Sequence, residues 1–146
     1  MNVAKWAIPS FLLALGFLGT FAGSAEAQGP RQYYGNKWYS SGTGYSYRHY
    51  YYKPHSGYSG YKHHYAIYYP SRPRYIYYYN PTTRVYWGRY DSVSKGYSML
   101  APEARKGSLA EICESAFPRP IGMPTIPGSS DGTIMDRPPD DLPPAG

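Results

Sequence analysis

The chain has 146 residues, a formal net charge of +6 and 20 tyrosines. Leu, Ile, Val and Phe supply only twelve of residues 28–146, a share below about one fifth, which is typical of chains that cannot build an ordinary aliphatic core. We therefore expect a mostly irregular or disordered chain with one small ordered nucleus. No second apolar run follows residue 27, which argues against a membrane span in the mature chain.

The N-terminus has the pattern of a cleavable secretory signal. Lys5 precedes the apolar run Phe11–Leu18, and Ala25 and Ala27 form a small-x-small cleavage site. An uncleaved anchor is the alternative, but the apolar stretch is shorter than the roughly 20 residues that span a bilayer. The pattern predicts a signal helix and signal peptide at 1–27 and a secreted or cell-envelope protein.

Residues 28–73 form a basic, low-complexity segment of Tyr, Gly and Ser. From residue 28 to residue 90 there are nine Lys or Arg and no acid, whereas residues 91–146 hold five bases and eight acids. The composition predicts an extended, mobile segment. Its charge predicts an anionic partner, a role that the acidic end of the same chain could also fill.

Residues 74–117 are the predicted ordered nucleus. Tyr75–Tyr79 and Arg84–Tyr90 are rich in aromatic and β-branched residues, which favours strands, and Asn80-Pro81 suits a turn between them. Closing this turn would set Tyr79 opposite Arg84 and Tyr77 opposite Tyr86. The expected structure is a small antiparallel β-hairpin, or a three-stranded meander over about 74–100 if residues 96–100 add a strand.

A short helix is predicted at about 109–116. Ser108 and Glu111 have the spacing of a capping box, and Pro118 ends the helix. Eight prolines then predict an extended, poorly packed, acidic tail over 118–146.

The hairpin supplies the candidate binding surface. One predicted face carries tyrosines on which a sugar or a peptide could pack, and Arg84 could lie over one of their rings. The predicted binding residues are Tyr75, Tyr77, Tyr79, Arg84, Tyr86 and Trp87.

Catalytic and metal chemistry are not indicated. The four histidines (His49, His55, His63 and His64) have no Cys or acid among them, which disfavours a shaped metal site. There is no nucleophile motif, and the pair Asp140 and Asp141 lies in the Pro-rich end. We predict no enzyme activity, no cofactor and no metal. Cys113 is either a small residue of the short helix or the source of an intermolecular disulfide.

Two resemblances bear on function. The segment 75–90, with Tyr77-Tyr78-Tyr79-Asn80, Thr83 and Trp87, resembles the hairpin of WW domains, which bind Pro-rich peptides. Its Trp is displaced by one residue, and the opening Leu-Pro-x-Gly-Trp strand of that family is missing. The Tyr-rich middle, Tyr-Trp-Gly-Arg and the Asp-Asp-Leu-Pro ending resemble short secreted Tyr-rich bacterial proteins of uncharacterised function, which implies kinship but no role.

Three functions remain open on the sequence. The first is an exported, non-enzymatic envelope or matrix protein whose basic half binds an anionic cell-surface polymer. The second is an interaction module that docks a peptide or another envelope protein on the aromatic hairpin face. The third is a structural protein cross-linked through tyrosine. Export disfavours nucleic acid as the partner, and the oligomeric state is left open.

Overall fold

The computed structural model describes residues 29–144. The predicted signal peptide, with its cleavage residues Ala25 and Ala27, lies outside the described residues. Among residues 29–144, no helix is long and apolar enough to cross a membrane.

Within residues 29–144, seven antiparallel strands form one sheet. Their bounds are β1 (Gln32–Tyr34), β2 (Tyr39–Ser40), β3 (Ser46–Tyr52), β4 (Lys62–Tyr68), β5 (Tyr75–Asn80), β6 (Val85–Asp91) and β7 (Gly96–Met99). The order across the sheet is β1-β3-β4-β5-β6-β7, and β2 also pairs with β3. Strands β1 and β2 therefore share one edge of the sheet, against opposite ends of β3.

The prediction of a mostly irregular chain was wrong. The segment 28–73 contains four strands, and the hairpin at 75–91 is the centre of a larger sheet rather than an isolated nucleus. The aliphatic count missed this because tyrosine takes the place of Leu and Ile: Tyr50, Tyr77, Tyr78 and Tyr97 are all fully buried. A buried tyrosine ring removes at least as much apolar surface from water as an aliphatic side chain does.

The hairpin register also differs from the prediction. Tyr79 pairs with Tyr86 and Asn80 pairs with Val85, with a bulge between Tyr78 and Tyr79. Near the turn the register is two residues away from the predicted one, and a shift of two preserves the face on which each side chain lies.

The two turns that flank β6 share one geometry. In each, the side-chain oxygen of Asn80 or Asp91 accepts hydrogen bonds from the amides two and three residues later. Its backbone carbonyl accepts from the residue four positions on. That fourth residue, Arg84 or Lys95, has a φ near +60°, a conformation that favours Gly. Arg84 thus lies in the turn and not in the strand.

The predicted helix at 109–116 is absent. Three 3₁₀ turns follow β7, at Pro102–Ala104, Leu109–Glu111 and Glu114–Ala116. Ser108 does cap the second of them, since its side chain accepts a hydrogen bond from the Ala110 amide. Ile112 and Phe117 are extended, and Pro118 favours that conformation at Phe117. Segments this short do not sustain an α-helix without tertiary support.

Residues 118–144, here called the C-terminal strap, pack on one face of the sheet, the covered face. Ile126 and Met135 of the strap are fully buried in a cluster with the rings of Tyr50, Tyr78 and Trp87. The expectation of a poorly packed tail was therefore wrong, although the strap is irregular apart from isolated bridges.

Ion pairs and hydrogen bonds hold the strap to the N-terminal strands. Asp131 pairs with Arg31 at 2.8 Å, and Asp141 pairs with the buried guanidinium of Arg48 at 2.6 Å. The Tyr34 hydroxyl donates to the Asp136 carbonyl. The acidic end of the chain thus neutralises part of its basic half.

Residues 101–117, the covering segment, pack on the opposite face of the sheet. Ile112 and Phe117 are buried there against Tyr77 and Tyr86. This cover lies over β5 and β6, so that much of the same face over β1–β4 is left to solvent.

Candidate binding surface

An aromatic surface lies on β1–β4, on the side of the sheet that faces away from the strap. We call it the aromatic face, and its rings belong to Tyr33, Tyr39, Tyr47, His49, Tyr51, His63 and Tyr65. Side chains of a strand alternate between the two sides of a sheet. Residues 47, 49 and 51 of β3 therefore point to this face, while 48, 50 and 52 point into the covered one.

The rings of the aromatic face pack against each other along and across the strands. Tyr33 of β1 stacks on Tyr51 of β3 with 4.9 Å between ring centroids, and within β3 Tyr51 stacks on His49 at 5.3 Å. Tyr39 stacks on Tyr47 at 5.6 Å. Such cross-strand pairs stabilise the sheet and fix the ring orientations, giving a preformed platform rather than a set of mobile side chains.

The aromatic face remains accessible. Tyr33 and Tyr39 are 40% and 41% exposed, and the other rings of the face are half-buried. Aromatic rings that lie side by side and reach solvent are a candidate interaction surface.

The two histidines of this face are held neutral. Burial lowers the pKa of His49, and burial together with the nearby charge of His49 lowers the pKa of His63. Their ring centroids are 5.2 Å apart, so two imidazolium charges would repel each other. At neutral pH the face is therefore a ring surface without charge of its own.

Few cations of the basic half are free to act at this face. Four of the nine bases between residues 28 and 90 form ion pairs, namely Arg31, Arg48, Arg74 and Arg89. Lys53 is buried. Lys37 is exposed and lies at the edge of the aromatic face, with its ammonium 4.9 Å from the centroid of the Tyr39 ring.

A cleft of about 460 Å³ lies where the aromatic face meets the covering segment. Tyr69 and Tyr86 join their hydroxyls at 2.7 Å in its wall, and burial and this hydrogen bond raise the pKa of Tyr86. Its volume suits a small ligand or one or two units of a polymer. The lining residues are Tyr45, Tyr47, Tyr65, Ile67, Tyr69, Tyr79, Tyr86 and Gly107.

The structure separates the binding residues predicted on the hairpin. Tyr77 is buried beneath Phe117, with 5.9 Å between ring centroids, and Tyr75 is half-buried with the Arg89 guanidinium 3.8 Å above its ring. Tyr79 and Tyr86 line the cleft.

The remaining two predicted residues lie elsewhere. Arg84 is exposed in the turn. Trp87 belongs to the covered face, where it packs against His64 and Tyr97. The six residues therefore do not form one open surface.

The surface that is open was missed because residues 28–73 were interpreted as low complexity. A signal for it exists in the sequence: Tyr47, His49 and Tyr51 occupy alternate positions, as do His63 and Tyr65. Alternation of this kind is typical of a strand with one distinct face. Tyrosine and histidine were counted there as polar, which concealed the pattern.

No metal centre is assembled in the described part of the chain. No group of three or more His, Cys, Asp or Glu side chains comes close enough to hold a metal ion. Cys113 is exposed and sits just before the third 3₁₀ turn, in contrast to its expected place in a helix.

Comparisons with known proteins give no family for the chain. The resemblances to WW domains and to secreted Tyr-rich proteins therefore stay predictions. No protein-family model, no curated protein and no solved structure matches the sequence or its fold.

Proposed function

We propose that this chain is an exported, non-enzymatic envelope or matrix protein that binds an anionic surface polysaccharide through the aromatic face. The observation that carries the proposal is the preformed, half-exposed array of stacked rings on β1–β4. The predicted signal peptide implies export. The strap packs on one face of the sheet and the covering segment on part of the other, so that in residues 29–144 this array is the accessible aromatic surface.

Aromatic rings suit a sugar polymer for a physical reason. The C–H face of a pyranose ring is apolar and flat, and it gains dispersion and desolvation energy on a fixed aromatic ring. Rings that stack on each other lose little conformational entropy on binding. The cross-strand spacing of the rings offers several such positions in succession, which fits an extended chain.

Charge contributes less to the proposed polymer binding than the net charge of +6 suggests. Four of the basic residues in the Tyr-rich half are paired within the protein. Lys37 at the edge of the aromatic face remains to contact an anionic group of the polymer. We therefore expect binding to persist at moderate salt and to weaken only gradually as screening increases.

Affinity electrophoresis tests the proposal. The mature protein is run through gels that contain alginate, a polyuronate, or dextran, a neutral glucan, over a series of salt concentrations. We expect retardation by alginate, and its loss in the double variant Tyr33→Ala, Tyr39→Ala. Co-sedimentation with isolated cell-envelope fragments provides the same comparison on a native surface.

The matched control is Val93→Ala, because Val93 is an exposed apolar residue in the turn between β6 and β7. It should bind like the unmodified protein. The proposal fails if the protein binds neither alginate nor envelope fragments at low salt. It also fails if the double variant, folded by circular dichroism, binds as well as Val93→Ala.

A further inference from the structure

A second cavity, also about 460 Å³, lies at one end of the covered face. Four parts of the chain meet there: β3 and β4, the turn between β5 and β6, the start of the covering segment and the strap at Pro127 and Gly128. It is separate from the cleft at the aromatic face, with which it shares no lining residue.

The charged side chains that line this cavity are both positive. They are Lys62 of β4 and Arg105 of the covering segment. Arg105 is oriented by a hydrogen bond from its Nε to the Leu100 carbonyl, and its guanidinium lies 5.8 Å from the Trp87 ring centroid. In residues 29–144 neither cation has an ion pair with an acid, in contrast to Arg31 and Arg48. The cavity is therefore an uncompensated positive site.

A buried histidine lines the same cavity. His64 is fully buried between the rings of Tyr52 and Trp87. Neither of its ring nitrogens has a hydrogen-bond partner within the described chain. A neutral imidazole carries one N–H, and a buried donor without an acceptor is costly. Such a group in a native protein calls for an acceptor that the protein itself does not supply.

We propose that this cavity binds a small organic carboxylate. Lys62 and Arg105 hold the carboxylate, to which a guanidinium can donate two parallel hydrogen bonds. Trp87 and the prolines at 54, 102 and 127 pack against the apolar body of the ligand. The His64 ring, which also lines the cavity and has no partner for its N–H within the described chain, is a further donor to the ligand. The cavity volume is in the range of small-molecule sites.

Isothermal titration calorimetry of the full mature chain tests this site. The probes are glucuronate and benzoate, with glucose and benzamide as neutral analogues of the same shape. We expect at least one carboxylate to bind and its neutral analogue not to bind. Lys62→Gln removes one charge at an exposed position and should weaken binding about tenfold. Arg105→Gln should weaken it at least as much.

Lys95→Gln is the matched control, because Lys95 is an exposed lysine in the turn between β6 and β7, at the other end of β6 from the turn that lines the cavity. It should leave carboxylate binding unchanged. Chemical-shift mapping of the His64 side chain locates the ligand independently of the variants. The proposal is overturned if neither carboxylate binds, if the neutral analogues bind equally well, or if Lys62→Gln and Lys95→Gln have the same effect. These outcomes do not depend on whether the Tyr33→Ala, Tyr39→Ala variant still binds alginate.

Discussion

Tyrosines alternate along the strands in the same way on both faces of the sheet, yet their surroundings differ between the covered face and the aromatic face. On the covered face, the Tyr34 hydroxyl lies 2.7 Å from that of Tyr78 and donates to the strap, and the Tyr50 hydroxyl donates to Gln32. On the aromatic face the rings over β1–β4 meet one another and solvent. Strand sequence alone does not distinguish them.

The difference comes from the segments that cover the sheet. The strap brings backbone carbonyls and carboxylates to the polar groups of the covered face, so tyrosine and even Arg48 can be buried there. Burial raises the pKa of Tyr52 to about 12 and raises the pKa of Tyr50 further. Tyr34, Tyr50 and Tyr78 thus pack on the covered face with partners for their hydroxyls, whereas the buried hydroxyl of Tyr97 has none within residues 29–144.

The largest effect is expected in the strap, which covers one face of the sheet. Ile126 is fully buried, and Ile126→Ala should lower the free energy of unfolding by about 3 kcal/mol, through lost burial and the cavity left behind. Ile134, in the same strap, is 53% exposed, and Ile134→Ala should cost less than about 0.5 kcal/mol. Urea unfolding measures both. Equal small effects would show that the strap does not cover the sheet.

Acid should destabilise the covered face through His64. Burial, with smaller contributions from His63 and Arg105, lowers its pKa to about 3. Below a pH of about 6.5 this histidine takes up a proton in the unfolded chain but stays neutral in the folded protein. The free energy of unfolding therefore falls as pH falls. Between pH 7 and pH 4.5 the loss should be about 2 kcal/mol. Carboxylates with a lowered pKa, such as Asp91 at about 2, contribute below this window.

His64→Leu should flatten that pH profile and leave stability at pH 7 unchanged or higher, because an unpaired polar ring is replaced by an apolar side chain. His55→Gln is the control, since His55 is exposed. Thermal unfolding at a series of pH values checks this. A slope that His64→Leu does not change would contradict the assignment.

The ion pair between the strap and β3 gives a smaller effect. Asp141→Asn removes the carboxylate that accepts from the buried Arg48 guanidinium and should cost about 1.5 kcal/mol, since the remaining charge loses its partner. The neighbouring Asp140 pairs with Lys95 at 3.7 Å, and both are exposed. Asp140→Asn should cost less than about 0.5 kcal/mol. If the two adjacent substitutions have equal effects on urea unfolding, Arg48 is not held by the strap.

The turns around β6 should give the smallest effect, and one of opposite sign. Lys95 has a φ of 63°, where a side chain is strained and Gly is not. Lys95→Gly should raise stability by about 0.5 kcal/mol, the relief of strain being partly offset by the entropy of Gly when unfolded. Lys106 is also exposed but does not have a positive φ, so Lys106→Gly should not stabilise the protein. A loss of stability in Lys95→Gly would contradict the turn geometry.

The part of the fold that could be predicted from sequence rests on local signals. The strands at 75–91 follow from β-branched and aromatic runs around Asn80-Pro81, and the faces of Ile76, Tyr77 and Tyr78 follow from alternation. Near the turn their register was missed by two residues because Arg84 adopts a positive φ, which no residue-type preference of Arg signals, and the bulge between Tyr78 and Tyr79 adds a third.

The remainder depends on contacts distant in sequence. Strands β1–β4 are stabilised by rings and by a strap about 100 residues away, as in the bonds from Arg31 to Asp131 and from Gln32 to Ile134. A composition rule that counts only aliphatic residues does not detect a core that is built from tyrosine rings and distant contacts. The aromatic face was missed for the same reason, whereas the charge pattern indicated the acidic end as one alternative partner of the basic half.

The most direct test of the two-face account is tyrosine nitration by tetranitromethane under native conditions, followed residue by residue with mass spectrometry. The account predicts rapid modification of Tyr33 and Tyr39 and protection of Tyr50, Tyr78 and Tyr97 until the protein is denatured. Alginate should slow the reaction at Tyr33 and Tyr39. Uniform nitration from Tyr33 to Tyr97 in the native protein would contradict the account, because it would show that no covered face exists.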